Sequence, residues 1–419
     1  MGSCECRSKN IVANTFISEN TISLREFSMS TNLNIKKRNS LRRLSTRQSV
    51  SLELPHPLMV SSIQVNIDAN TMWVSGCILP GVYINNLDHN KCQDHALISI
   101  KSDSILGAVF DGHGENGTKI SNFCGKVTSK FHISTQQYQN DPFDFLKKII
   151  STCDIKLKNP KSFIDVTTSG STAVLWLFYN STFYIASVGD SRAVLATKQP
   201  PVSFPVKACP LNEERRLQEN AYANRNVTPE TKIIPVQLSK DQKPDDSEEL
   251  TRIVESGGRV QRLTDKNGQK IGPYRIWEMN NDEPGLAMSR CIGDKIGEKL
   301  GVISKPICYS MPYNKGSDCF AIIASDGIWD VFSNQDAVNF VEFYREKCKK
   351  GIDGWSGNTL TNPGNSCIAH LLCEEARTRW ISIVEEEASK IDDISCVIVE
   401  FENGDGKIIT NENEPEAGQ

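Results

Sequence analysis

The chain has 419 residues, of which 38% are hydrophobic and 23% charged, and its formal net charge is −4. These proportions are ordinary for a globular protein, and no apolar run approaches the ~18 residues that a membrane-spanning helix needs. The N-terminus has no apolar segment of the secretory type, so no leader is expected. The 14 cysteines include no C-x-x-C pair, which favours buried thiols in a reducing compartment over a zinc site.

The first 50 residues are basic, with nine Lys or Arg against three Glu, whereas the whole chain is acidic. They are rich in Ser, Thr and Asn and show no sustained periodicity. Residues 1–65 are therefore predicted to form a disordered basic arm on an acidic globular body.

The arm begins MGSCEC, which indicates N-myristoylation at Gly2 and palmitoylation at Cys4 and Cys6. One myristoyl chain binds membranes only marginally, but a second acyl chain or the basic cluster at 36–47 would complete an anchor. Phosphorylation of Ser45, in the sequence RRLS, would weaken attraction to anionic lipid. The alternative is a solvated leader that begins Met-Gly by chance.

Beyond residue 70, strand-like and helix-like segments follow one another. In chain order, we predict strands at 96–100 and 105–110, helices at 120–131 and 142–153, strands at 172–178 and 183–188, a helix at 246–255, a strand at 320–324, a helix at 333–344 and a strand at 396–401. Asp141 and Pro142 form a favourable N-cap and N1 pair, and Gly257 with Gly258 ends the third helix. Because strands come in pairs without a regular βαβ rhythm, we expect two sheets covered by helices.

A set of aspartates, most of them next to strand-like runs, is the main functional signal: Asp94, Asp111, Asp190, Asp326, Asp330 and Asp392. Asp111 and Asp326 are each followed directly by glycine, which lets the backbone approach a ligand. Carboxylates without a His or Cys ligand spacing are typical of sites for hard cations such as Mg²⁺ or Mn²⁺. A single such aspartate is more often a turn or cap residue, but the whole set predicts a metal-dependent enzyme.

The order of the motifs resembles that of the metal-dependent protein Ser/Thr phosphatases of the protein phosphatase 2C type, over residues 72–402. The matching segments are QD at 93–94, FDGHG at 110–114, SGSTA at 169–173, VGDSR at 188–192, LSKD at 238–241 with KP at 243–244, RI at 252–253 with GG at 257–258, LAMSR at 286–290 with GD at 293–294, DGIWD at 326–330 and DD at 392–393. The stretch 274–286 looks most like the plant and protozoan branch. The resemblance implies an α+β fold: a central β-sandwich of two mostly antiparallel sheets flanked by helices (α-β-β-α), with a bimetal site at one end.

The resemblance also implies roles for single residues. Two Mg²⁺ or Mn²⁺ ions would be held by Asp94, Asp111, the Gly112 carbonyl, Asp326 and Asp392, and a third, weaker ion by Asp190 with Asp326 and Asp330. A metal-bridged hydroxide would attack the phosphorus without a phosphoenzyme. His113 would protonate the leaving oxygen, since an unperturbed histidine has a pKa of about 6.5 and can supply a proton at physiological pH. The alternative is that this histidine, which lies beside Asp-Gly, only caps a turn.

Three departures from the family pattern stand out. Gln93 occupies a position where many animal members have Glu. His89, with Lys91 close by, stands where an Arg or Lys often binds the substrate phosphate, so that contact is in doubt. An insert at about 196–235, rich in proline and charged residues, is predicted to be a substrate-docking loop or a disordered loop. A smaller insert at 349–365 is predicted to be a surface loop. The phosphatase domain is predicted at 66–403, and 404–419 as a flexible acidic tail.

The resulting hypothesis is a monomeric Ser/Thr phosphatase that acts on phosphorylated proteins and is attached to a cytoplasmic membrane face by its acylated arm. One alternative is a catalytically inactive, phosphatase-like module that binds phosphoproteins or a regulator. Such modules usually lose a metal carboxylate, and none is lost here. A second alternative is a phosphatase for small phosphorylated molecules. The flap around 261–283 would determine which class of substrate is accepted. Nucleic-acid binding is not expected, because the basic arm lacks interleaved aromatic residues.

Overall fold

The computed structural model describes residues 20–23, 58–67, 70–83, 92–198, 233–349, 367–384 and 390–401. The strands are β1 (Asn20–Ser23), β2 (Leu58–Ile67), β3 (Asn70–Leu79), β4 (Val82–Tyr83), β5 (Asp94–Ile100), β6 (Ser104–His113), β7 (Gly170–Ser171), β8 (Ala173–Tyr179), β9 (Thr182–Val188), β10 (Arg192–Thr197), β11 (Ile234–Gln237), β12 (Gly258–Thr264), β13 (Lys270–Glu278), β14 (Pro284–Leu286), β15 (Ile292–Gly293), β16 (Ile307–Pro312), β17 (Asp318–Ala324), β18 (Lys390–Ile391) and β19 (Ile394–Phe401). The α-helices are α1 (Gly117–Ser134), α2 (Pro142–Lys158), α3 (Ser247–Glu255), α4 (Lys295–Lys299), α5 (Asp326–Trp329), α6 (Asn334–Lys349) and α7 (Ile368–Val384).

Two antiparallel sheets form the centre of the molecule. The first has the strand order β1-β5-β6-β8-β9-β16, with β7 pairing to β6 and β15 pairing to β7. The second has the order β11-β10-β17-β19-β3-β2. Buried side chains from both sheets, including Val109, Trp176, Ile323 and Val397, form one core between them. The predicted sandwich of two antiparallel sheets is confirmed.

Helices cover the outer face of each sheet. Side chains of α1 and α2, such as Ile120 and Ile149, pack with Leu97 and Phe110 of the first sheet. Helices α6 and α7 pack in the same way against the second sheet, so the layers follow the predicted α-β-β-α order. The cap of α2 forms as expected, because the carboxylate of Asp141 accepts a hydrogen bond from the amide of Asp144 at 2.9 Å.

The alternation of side chains along a strand explains why the central strands carry apolar residues on both faces. In β5, Ala96 and Ile98 lie in the core between the sheets, whereas Leu97 lies in the core beneath α1 and α2. Successive side chains point to opposite faces, and here both faces are covered. The strands and helices predicted for the domain match observed elements, with shifts of a few residues at their ends.

The prediction of a disordered arm over residues 1–65 needs correction at two places. Asn20–Ser23 forms β1 and pairs with β5, and Leu58–Ile67 forms β2, an edge strand of the second sheet that pairs with β3. Within β2, Val65 and Ile67 are buried while Gln64 and Asn66 are exposed. This alternation is the signal of a half-buried strand, and the Ser-rich composition of the region obscured it.

The inserts lie mostly outside the described residues, but their ends are visible. Thr197 pairs with Ile234 where β10 meets β11, so the chain leaves and re-enters the second sheet at neighbouring points. A separate three-stranded sheet, β12-β13-β14, carries the predicted flap region. The helices that the structure describes include none with the length and apolar character that crossing a bilayer requires.

Candidate active site

The first sheet contributes two carboxylates to one end of the sandwich. The antiparallel register of β5 and β6 places Asp94 directly opposite Asp111. The amide of Asp111 donates to Oγ1 of Thr172 at 3.1 Å, and the amide of Thr172 donates back to the Asp111 carbonyl at 2.8 Å. Next to Asp111, only glycine fits at position 112, because a Cβ there would lie 2.4 Å from the Gly117 carbonyl oxygen. The FDGHG motif is thus held by backbone contacts.

The second sheet brings two more carboxylates to the same end. Ala324, the last residue of β17, pairs with Cys396 near the start of β19. Asp326 therefore follows one strand where Asp392 precedes its neighbour. Oγ of Ser325 donates to Oδ2 of Asp94 at 2.8 Å, which joins the two sheets at the site.

Asp190 comes from the turn between β9 and β10. Gly189 precedes it with φ +96°, a conformation that favours glycine. Nζ of Lys243 lies 2.5 Å from Oδ2 of Asp190, and Lys243 also interacts with Asp330 and Asp326. The structure thus brings together all six aspartates that the sequence singled out.

The carboxylates are buried or half-buried, and they repel one another. Burial and then the charge of Asp326 raise the pKa of Asp111 well above its ordinary value. Burial and then Asp392 do the same for the pKa of Asp326, although Lys243 opposes the shift. Burial and then Asp393 raise the pKa of Asp94 to about 7. Such a cluster has a large electrostatic cost that a bound divalent cation would offset.

The donor set fits the metals that the sequence predicted. Every proposed ligand offers oxygen, which suits Mg²⁺ or Mn²⁺ better than a soft metal. Oδ1 of Asp190 accepts no hydrogen bond within the described chain, although the side chain is only 2% exposed. Asp392, which pairs with Lys390 at 2.7 Å, is more exposed than Asp190. A buried carboxylate oxygen without a donor is what a cation site requires.

His113 lies beside the cluster and forms an ion pair with Asp294. Nε2 of His113 is 2.5 Å from Oδ2 of Asp294, and the histidine side chain is 21% exposed while the aspartate is fully buried. Burial lowers the pKa of His113, but the Asp294 carboxylate outweighs it, so the pKa lies above its ordinary value. The imidazolium is therefore favoured, and it has a route to solvent.

Several supporting residues had no assigned role in the sequence analysis. The carboxylate of Asp393 accepts from the amides of Gly81 at 2.5 Å and Gln93 at 2.7 Å, which fixes the loop before Asp94. The Gln93 side chain donates to the Gly114 carbonyl at 2.6 Å, and thus holds the turn after His113. Asp294 belongs to a matched motif, but its partner His113 is 181 positions away in the chain, and no local pattern connects them.

The other predicted site residues lie outside the described residues. This applies to the two candidates for phosphate binding, His89 and Lys91, and to the lipidation candidates Gly2, Cys4 and Cys6. Their roles remain predictions. A basic residue that the structure does describe, Arg275 of β13, interacts with the charge of Asp190. Its side chain donates to the Gly285 carbonyl at 2.7 Å.

The sandwich and the carboxylate cluster at its end are typical of a metal-dependent enzyme. Comparisons with known proteins specify it further, since the family model "Protein phosphatase 2C" matches residues 82–354. "Probable protein phosphatase 2C 34" of Arabidopsis thaliana is 31% identical over 66% of this chain and 75% of its own length. "Probable protein phosphatase 2C 48" of Oryza sativa subsp. japonica is 36% identical over 59% of this chain and 68% of its own length.

A solved structure agrees with these matches at the level of the fold. The serine-threonine phosphatase 2C from Toxoplasma gondii has a TM-score of 0.56 and 17% sequence identity, and the alignment covers 83% of this chain and all of that one. The chain belongs to the protein phosphatase 2C family and is a metal-dependent protein Ser/Thr phosphatase.

Proposed function

We propose that this phosphatase hydrolyses phosphoserine and phosphothreonine in proteins at the carboxylate cluster. Asp94, Asp111, the Gly112 carbonyl, Asp326 and Asp392 would hold two Mg²⁺ or Mn²⁺ ions, and Asp190 with Asp330 a third. When bound, these cations supply Lewis-acid catalysis: they activate a water molecule as the nucleophile and neutralise charge on the phosphoryl group. The observation that carries this proposal is the convergence of mutually repelling, buried or half-buried carboxylates from both sheets.

The residues of the chain itself would perform two further tasks. His113 would donate a proton to the leaving oxygen, since a Ser or Thr alkoxide is a poor leaving group. Asp294 would keep the imidazole protonated and oriented until the proton is transferred. Ser325 and the neighbouring Ser395 would orient the Asp94 carboxylate towards the ions, because Oγ of Ser325 bonds to Asp94 at 2.8 Å and accepts from the Ser395 amide at 3.1 Å.

The first test is hydrolysis of a phosphothreonine peptide by the full chain with Mn²⁺ or with EDTA. We expect turnover that requires Mn²⁺ and falls by about 10²–10³-fold or more in Asp326→Ala, because one ion loses a charged ligand. Faster turnover of small phosphate esters than of the peptide would instead favour a small-molecule phosphatase. No turnover from folded protein at any Mn²⁺ concentration would contradict the proposal and favour a binding module.

We further propose that the enzyme is a monomer attached to a cytoplasmic membrane face by acyl groups on Gly2 and on Cys4 or Cys6. The motif at the N-terminus and the basic cluster at 36–47 support this, since two membrane-binding signals are needed for a stable anchor.

Acylation predicts a change of location on mutation. In cells, Gly2→Ala is expected to move most of the protein from the membrane pellet to the supernatant, because it removes the amino-terminal acceptor. Cys209→Ser, in the insert, is the matched control and should leave the distribution unchanged. Equal membrane fractions for wild type and Gly2→Ala would contradict the proposal.

A further inference from the structure

A second group of side chains with atoms able to ligate a metal lies next to the oxygen cluster: His113, Cys291 and Asp294. Nε2 of His113 is 2.5 Å and Sγ of Cys291 is 3.0 Å from the same carboxylate oxygen, Oδ2 of Asp294. The three ligand atoms all lie within 4.8 Å of one another. Cys291 and Asp294 are buried, whereas His113 is partly exposed and forms the open side of the group.

The donor set of this group differs in kind from that of the aspartate cluster. One nitrogen, one sulfur and one oxygen match the ligands that Zn²⁺ binds with tetrahedral geometry. Zinc–ligand bonds of about 2.0–2.3 Å place tetrahedral ligands about 3.3–3.6 Å apart. The two measured distances, 2.5 and 3.0 Å, would therefore have to widen by less than about 1 Å.

The surrounding backbone holds the three ligands together. Asp294 has φ 45°, an unusual value for a residue with a side chain, and its amide donates to the Ser169 carbonyl at 3.0 Å. At position 170, a Cβ would lie 2.1 Å from Oδ2 of Asp294 and 2.9 Å from Nε2 of His113, so glycine is needed for the close approach.

The group also contains buried polar atoms that its internal contacts leave unsatisfied. Oδ1 of Asp294 and Nδ1 of His113 are buried and have no hydrogen-bond partner among the residues that the structure describes. Buried polar atoms are rarely left in this state, so each one points to a ligand or to an ordered water. The side chain of Asp294 thus has an oxygen to offer to an ion in addition to the one that contacts His113 and Cys291.

We propose that His113, Cys291 and Asp294 form an inhibitory site for Zn²⁺ or a similar borderline-soft divalent cation. Binding would form bonds from the metal to Nε2, Sγ and a carboxylate oxygen, and release to solvent the proton between His113 and Asp294 and the thiol proton of Cys291. A water would complete the tetrahedron on the open side. Because a metal on Nε2 prevents proton donation, the enzyme would stop turning over; this consequence rests on the proposed role of His113.

The site escaped the sequence analysis because its ligands come from separate elements. His113 ends β6, whereas Cys291 and Asp294 flank β15. The three ligands therefore lack the short, regular spacing of a sequence motif such as C-x-x-C. The absence of that spacing argues against a structural zinc site, but it does not bear on three ligands assembled by the fold.

A spectroscopic test does not depend on activity. Metal-free full-length protein titrated with Co²⁺ is expected to develop a thiolate-to-cobalt charge-transfer band, which the oxygen ligands of the aspartate cluster do not give. Cys291→Ser, which keeps a donor to Asp294, and Cys291→Ala should both lose the band. Cys308→Ser, in β16, the next strand along the chain, should retain it. A wild type without the band, or a band that survives in both Cys291 variants, overturns the proposal.

A second measurement tests inhibition. With Mn²⁺ saturating, Zn²⁺ should inhibit peptide hydrolysis by the wild type, and extra Mn²⁺ should not relieve it, because the two ions occupy different sites. Loss of the thiolate in Cys291→Ser should raise the inhibitory Zn²⁺ concentration at least about 100-fold, with the activity of each protein expressed relative to its own turnover without Zn²⁺. Equal Zn²⁺ sensitivity of the two proteins overturns the proposal, whereas failure of the proposed function would instead show as no turnover without Zn²⁺.

Discussion

Replacing Asp111 by Asn is expected to lower kcat for a phosphothreonine peptide by about 10³-fold and, in the same protein, to stabilise the metal-free fold. Desolvation raises the pKa of the half-buried Asp111, and the charges of Asp326 and Asp94 raise it further. Asparagine keeps the shape of the side chain but removes the charge that repels its neighbours. The cluster therefore becomes easier to fold and less able to bind two cations, so activity and stability change in opposite directions.

The stability effect depends on pH in a direction that the raised pKa values determine. An unfolded aspartate has a pKa of about 3.9. In the folded protein, burial and the charge of Asp393 raise the pKa of Asp94 to about 7. Between these values the folded state binds more protons than the unfolded state, so the free energy of unfolding falls as pH rises. In EDTA, wild type should have a lower melting temperature at about pH 8 than at about pH 6, and Asp111→Asn should show a smaller difference.

Thermal unfolding with EDTA and with Mn²⁺ checks this prediction. Cations bind the deprotonated carboxylates, so the stabilisation by Mn²⁺ should grow with pH in the wild type and be much smaller in the variant. The control is Asp144→Asn on α2, whose carboxylate is half-exposed and pairs with Lys148. It should change neither activity nor the pH dependence. Destabilisation of the EDTA-treated protein by Asp111→Asn would contradict the electrostatic account.

The central strands and main helices were predictable because their signals are local. β5, β6, β8 and β17 are apolar on both faces, and α2 begins with an N-cap that its sequence specifies. β2 was missed for a local reason as well: its ladder with β3 is irregular between Val60 and Ile63, around two serines, and only its second half alternates. Composition then outweighed pattern in assigning that segment to the arm.

The aspartates of the site were found because each has a distinctive neighbourhood, but their mutual arrangement was not readable from the residues. That Asp94 faces Asp111 depends on the register of two strands, and that Ser325 bonds to Asp94 depends on contacts across 231 positions of sequence. Lys243 reaches Asp190 from a segment 53 residues away. Such contacts follow from tertiary packing, which no periodicity in the sequence reports.

Replacing His113 by Gln is expected to lower kcat for a phosphothreonine peptide by about 10²–10⁴-fold, the usual contribution of a general acid. The loss should be much smaller for p-nitrophenyl phosphate, whose leaving group departs without a proton. Parallel kinetics on the two substrates check this prediction, and each substrate is the control for the other. An equal loss on both would mean that His113 acts through the metal site and not through proton donation.

Asp294→Asn provides the matched test of how the acid is maintained. The Asp294 carboxylate raises the pKa of His113 against the effect of burial, and His113 must be protonated to act. Without that charge the pKa falls, so the alkaline limb of the kcat–pH profile for the peptide should move to lower pH. The profile for p-nitrophenyl phosphate should not shift, because its hydrolysis needs no proton from His113. A shift for the peptide alone would therefore locate the effect in the protonation of His113, whereas unchanged profiles for both substrates would restrict Asp294 to a structural role.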